Sequence, residues 1–122
     1  FKFDRAIPSG HNSPRPMKAG KLFADLVRLS KYKEKFSHSK CFFVYVTDFE
    51  MADYLSKDSN RLDDFFNLLS DGTLSIDKSY IDNHSETFVS QINLNGDHAL
   101  KVSSEYSKDL NKGFFVRIYQ VM

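Results

Sequence analysis

A lysine set between two phenylalanines opens the chain, in Phe1-Lys2-Phe3-Asp4-Arg5. The alternation puts Phe1 and Phe3 on one face of a strand and Lys2 on the other. Further on, Arg15, Lys18 and Lys21 gather around the predicted start of a helix, where backbone N–H groups also attract anions. Cations there suit phosphate contacts, which add affinity without reading a base sequence. The plainer readings of the same residues are an exposed lysine on an edge strand and a solvated helix face. A second group is acidic: Asp48, Glu50 and Asp53 begin one helix, and Asp63 and Asp64 fall in the first turn of another. Carboxylates at such positions complement the helix dipole, and a metal role is the less economical reading. His11, His38, His84 and His98 stand in polar, turn-like or edge contexts without the spacing of a metal site and read as surface histidines. Cys41 lies in an apolar run, where a thiol acts as a small buried hydrophobe and not as a nucleophile. No phosphate loop, nucleophile elbow or dinucleotide-binding glycine pattern occurs.

These residues need a scaffold, and 122 residues suffice for one domain. With 41% hydrophobic residues the core is modest, but 12 phenylalanines bury much area each and compensate. No apolar run approaches the roughly 18 residues of a membrane span, so no membrane association is expected. A single cysteine excludes an internal disulfide and agrees with a reducing, cytoplasmic location. The net charge of +1 conceals two blocks. Between Arg15 and Lys40 only Asp25 and Glu34 offset the basic residues, whereas between Asp48 and Glu86 acids outnumber Lys57, Arg61 and Lys78. Such blocks make either a basic binding face with an acidic back or two solvated faces that neutralise each other.

The periodicity predicts a strand over residues 1–5, a loop over 8–16 and a helix over 17–35 with Leu22, Phe23, Leu26, Val27, Leu29 and Tyr32 on its apolar side. Residues 41–46 are continuously apolar, as in a strand covered on both faces. Thr47-Asp48-Phe49-Glu50 has the form of a capping box and predicts a helix from Asp48 to Ser56. Ser59 reads as the N-cap of a third helix through Leu62, Phe65, Phe66 and Leu69, and residues 74–86 are ambiguous. Residues 88–94 read as a strand, Asn95-Gly96 as a two-residue hairpin turn, and 98–106 as the returning strand. A loop over 108–113 leads to a last strand over 114–121. The fold class predicted is α/β (α+β). It has a mixed sheet built on a strand-helix-strand core, two further short helices and a C-terminal antiparallel meander.

A lysine on a strand, a basic loop and helix, and then an apolar strand resemble the second half of the PD-(D/E)XK (restriction-endonuclease-like) nuclease core. The segment Lys18-Ala19-Gly20-Lys21-Leu22-Phe23-Ala24-Asp25-Leu26-Val27-Arg28-Leu29 is similar to the helix of small restriction-like proteins. In those, D-[LIV]-x-R-L precedes an apolar strand ending in threonine and aspartate, here Phe42-Phe43-Val44-Tyr45-Val46-Thr47-Asp48. The resemblance covers roughly residues 1–55. It implies a Mg²⁺-dependent DNA endonuclease in which Lys2 is the catalytic lysine of the D/E-x-K tripeptide, and Arg5, Arg15, Lys18 and Lys21 contact phosphate. The tripeptide's acid would stand just before Phe1, with an aspartate on the preceding strand. Residues 1–122 are thus expected to be the C-terminal part of a longer nuclease domain. They would be inactive alone unless an N-terminal segment or a partner chain brings the carboxylates that hold Mg²⁺.

The rival expectation is a non-enzymatic protein-interaction module, or an inactive nuclease-like DNA-binding protein. In the former, Phe114, Phe115 and Tyr119 form a partner or homodimer surface, although such residues are more often core.

Overall fold

A computed structural model describes residues 1–4, 14–94 and 96–122. Arg5, His11, Asn95 and the first part of the predicted loop lie outside the described residues. The elements run β1 (Lys2–Asp4), α1 (Arg15–Lys35), β2 (Cys41–Asp48), α2 (Phe49–Ser56), a 3₁₀ turn (Asp58–Asn60), α3 (Asp63–Phe66), β3 (Thr73–Ile76), α4 (Lys78–Asp82), α5 (Glu86–Val89), β4 (Leu100–Asp109) and β5 (Phe114–Val121). The five strands form one mixed sheet in the order β1-β2-β5-β4-β3. β1 and β2 are parallel, and every other pairing is antiparallel. The α+β class, the strand-helix-strand core and the terminal meander are therefore as expected.

Helix α1 starts two residues before the expected boundary, because Pro16 fits the first turn, where its missing N–H has no intrahelical partner anyway. It buries Ala19, Gly20, Leu22, Phe23, Leu26, Val27 and Ser30, one continuous stripe at three- and four-residue spacing. At its other end the Lys33 ammonium donates to the carbonyls of Ser37 (3.0 Å) and Ser39 (2.6 Å), which fastens the turn into β2.

Strand β2 differs from the reading that both its faces are covered. Cys41, Phe43, Tyr45 and Thr47 are buried against the helices, while the alternate residues are half-buried or, like Phe42 at 49% exposure, open. Aromatic and β-branched residues thus line both faces, but among the described residues helices cover only one of them. The expected capping box also shifts. Thr47 is still paired in the sheet with Asp4 and Phe115, so Asp48 becomes the N-cap, and its Oδ1 accepts from the Met51 N–H at 3.1 Å.

The third helix is far shorter than expected, and Ser59 does not cap it. Arg61 adopts a left-handed conformation (φ 58°) and breaks the chain between the 3₁₀ turn and α3. Its carbonyl accepts from the Tyr80 hydroxyl at 3.2 Å and lies 2.8 Å from His84 Nε2, and its guanidinium donates to the Asn83 carbonyl at 2.7 Å. His84 is therefore part of a tie between two segments, not a bare surface residue. Among the described residues four short α-helices follow β2, not the two expected: α4 lies in the ambiguous stretch and α5 runs into the segment expected to be a strand.

Residues 88–94 are not a strand. Ser85 caps α5, accepting from the Phe88 N–H at 3.3 Å, and Phe88 and Ile92 are buried one helical turn apart. Over so short an apolar run, a four-residue repeat such as Phe88 and Ile92 also satisfies a two-residue alternation. The meander's first strand is instead β3, which lies in the ambiguous stretch and pairs with β4. The β4–β5 turn uses Asn111 (φ 59°) and Gly113 (φ 74°), with Asp109 Oδ1 accepting from the Asn111 N–H at 2.8 Å.

Aromatic rings dominate the core. Phe65 stacks on Tyr119 with centroids 4.5 Å apart, and the Tyr119 hydroxyl donates to the Phe65 carbonyl at 3.3 Å. Burial pushes the Tyr119 phenol well above its ordinary pKa. Tyr80 is raised likewise by burial, assisted by the charges of Asp64 and Asp63. A pKa raised on folding means that the unfolded chain ionises first. Stability from these groups is complete below about pH 10 and is lost as pH rises further toward the folded-state values. In an alkaline titration, phenolate absorbance from Tyr80 and Tyr119 should appear only together with loss of the circular-dichroism signal. Tyr119→Phe should make the alkaline decline in stability shallower. Ionisation of all tyrosines before unfolding would contradict both assignments.

Candidate nucleic-acid interface

The parallel β1–β2 pair, joined through α1, places the N-terminus of α1 and that of α2 at the same end of the sheet. Their first turns meet there, where Arg15 pairs with Glu50 at 3.3 Å. Arg15 is thus directed to a carboxylate. Pro14 at the N-cap offers no side-chain cap to α1, and the first turn contains no acid.

Lys18, Lys21, Asp25 and Arg28 follow at three- and four-residue spacing, so they share one stripe of α1. That stripe faces β1. The Lys2 ammonium, on the helix-side face of β1 beside Tyr45, lies 3.5 Å from Asp25 Oδ2. Arg28 pairs with the other oxygen of Asp25. Lys2 is 24% exposed, whereas Arg28 stands largely in solvent at 76%. Lys21 is exposed and Lys18 partly buried. The structure therefore brings Lys2 and Arg28 to a single carboxylate, while Lys21 and Lys18 continue the same helix stripe one and two turns toward its N-terminus. Arg15 lies about 15 Å up the helix axis from Asp25, at 1.5 Å per residue. Asp25 and Arg28 are the aspartate and arginine of the restriction-like helix pattern, to which the sequence assigns no role at the site; only the strand placement of Lys2 gives them one.

The Mg²⁺ that the nuclease resemblance implies does not fit these residues. Asp25 already faces two cations, and no group of three His, Cys, Asp or Glu side chains among the described residues could hold a metal ion. The acidic residues at α2 are employed elsewhere: Asp48 caps the helix, Glu50 meets Arg15, and Asp53 pairs with Lys57 at 2.9 Å. Cys41 is buried, as expected.

The aromatic residues of the rival reading separate. Tyr119 is fully buried and Phe115 lies on the helix-covered face, so neither forms an exposed partner surface with Phe114. Phe114 is on the uncovered face, with its ring 6.1 Å from that of Phe3. Val44, Val46, Val116 and Ile118 share that face with them.

No family model, no curated protein and no solved structure matches this chain. Among the described residues, no helix is long and apolar enough to cross a membrane.

Proposed function

We propose that residues 1–122 are the phosphate-contacting C-terminal part of a restriction-like, Mg²⁺-dependent DNA endonuclease, acting in the cytoplasm. The observation that carries the reading is the basic stripe of α1 set against Lys2 on the parallel strand pair. Lys18, Lys21 and Arg28 project from one helix face beside the strand that holds Lys2, and a duplex backbone could follow that line. Phosphodiester hydrolysis would require metal-holding carboxylates from a preceding segment or a partner chain, as the resemblance implies. Without them this part binds and does not cut. Within it Lys2 is held in place by Asp25, which would orient the ammonium toward a site assembled at the β1 edge.

The test is duplex-DNA binding by fluorescence anisotropy across a salt series. Lys18→Glu with Lys21→Glu is expected to weaken binding and to flatten the slope of log K against log salt by about 2, since each lost phosphate contact removes about 0.9. Unchanged affinity and slope would sink the assignment.

A second reading, the interaction module, is favoured by the uncovered sheet face, where Phe3 and Phe42 are about half exposed, at 47% and 49%. Its occupant would be a second copy of the chain, paired through that face. Sedimentation of the same samples separates the two. A concentration-dependent dimer without salt-dependent DNA affinity would favour the module.

A further inference from the structure

Strand β5 alternates in a regular way except at one position. Phe115, Tyr119 and Val121 point to the helix-covered face, and so does Arg117, in register with Tyr45 on one side and Ser107 on the other. A guanidinium in a row of core residues needs a reason. Its ring neighbour is Phe66, whose centroid lies 4.6 Å away, with Phe115 at 5.7 Å, so a flat cation is held by aromatic contacts. One N–H donates to the Val116 carbonyl at 3.1 Å. Among the described residues no carboxylate lies within ion-pair distance of it. A guanidinium carries five donors, so most of its capacity is directed elsewhere. Burial lowers its pKa, opposed by the neighbouring Tyr119 and Asp109, in keeping with a partly desolvated cation.

The guanidinium lies in a cleft of about 410 Å³ between the turn after α3 and strands β4 and β5. A β-bulge at Glu105, between Ser104 and Tyr106, shapes one wall. In a regular strand, Ser104 and Ser107 would face opposite sides. The bulge puts both on the Arg117 side, Ser104 paired with Tyr119 and Ser107 with Arg117. Asn67 and Ser70 line the opposite wall. The cleft thus combines a fixed planar cation with hydroxyl and amide donors arriving from two walls.

We propose that this cleft is a binding site for a phosphate group, with Arg117 as its anchor and Ser104, Ser107, Ser70 and Asn67 as further donors. Donors from several directions suit the oxygens of a tetrahedral anion better than the two coplanar oxygens of a carboxylate. The site is separate from the α1 stripe. The fully buried Tyr45 lies between Lys2 and Arg117 in the same sheet row, so the proposal does not rest on the nuclease reading. Glu105 also lines the cleft, and its charge opposes an anion, so binding of free phosphate should be weak, roughly millimolar.

The experiment is a ¹H–¹⁵N NMR titration of the chain with inorganic phosphate at constant ionic strength, with chloride and acetate as parallel arms. Saturable shifts are expected at the Arg117 side chain and at the amides of residues 67–70 and 104–107, with phosphate only. Arg117→Gln should weaken binding by about tenfold or more, the cost of one charged hydrogen-bonding partner. Ser107→Ala should weaken it by a few-fold, and Glu105→Gln should tighten it, and neither touches the packed core. Shifts that fail to saturate, or that chloride reproduces, would overturn the proposal. Equal saturation by acetate would overturn the phosphate assignment. Should Arg117→Gln unfold the chain, the other two variants decide: affinities unchanged in both would overturn the site.

Discussion

Replacing Phe23 by alanine is expected to destabilise the fold by about 3–5 kcal/mol, a large share of the roughly 5–15 kcal/mol that holds a domain of this size. The ring is fully buried, and its centroid lies 5.0 Å from Phe65, 5.2 Å from Phe88 and 6.2 Å from Tyr80. Those three rings belong to α3, α5 and α4, helices of four or five residues that cannot persist without tertiary support. Phe23 is the contact they share with the long helix. Its loss would leave a cavity and weaken the docking of all three together. Urea unfolding followed by circular dichroism measures the effect. Phe23→Leu, which keeps most of the volume, should cost far less. A loss under about 1 kcal/mol for the alanine variant would mean that the ring is not packed as described.

Gly20→Ala is the second large effect, and its sign is the test. In a helix interior alanine is favoured over glycine by about 1 kcal/mol, so propensity alone predicts stabilisation. Packing predicts the reverse. A Cβ on Gly20 would lie 2.5 Å from the Phe88 carbonyl oxygen and 2.9 Å from Cβ and Cγ of Gln91. The nearest atom is backbone, which cannot swing aside, so α5 would have to move off α1. The expected result is a net loss of about 1–3 kcal/mol, as for overpacked cores, and a lower midpoint in the same urea experiment. A gain in stability would show that α1 and α5 do not approach this closely.

Both effects depend on contacts that no local pattern announces. Gly20 reads in the sequence as a mild defect inside an otherwise regular amphipathic helix, and only the crossing of α5 turns it into a requirement. Phe23 is legible as a core residue from its spacing with Leu22 and Leu26, but not as the hub of three short helices. The same division holds for the candidate site. The helical period places Lys18, Lys21, Asp25 and Arg28 on one stripe, while the nearness of Lys2 follows from a parallel strand pairing between segments some forty residues apart.

Long elements with a strong period were readable directly. Helix α1 follows from its helical apolar period, and β2 and β5 from their runs of aromatic and β-branched residues, which together give the strand-helix-strand order and the C-terminal strand pair. The short elements were not. Residues 88–94 satisfy a strand pattern as well as a helical one over so few residues, and Ser85 capping with Phe88 and Ile92 packed on one side resolves the choice. The tertiary structure also decided what the charges do. Arg15 is engaged by Glu50 and Asp25 by two cations, whereas Arg117, one basic residue in an apolar strand, acquires a cleft and a bulged neighbour strand. Sequence determines which side chains an element carries and on which face. Which of them meet, and which remain open to a ligand, depends on register and packing between distant segments, and those are set by the fold as a whole.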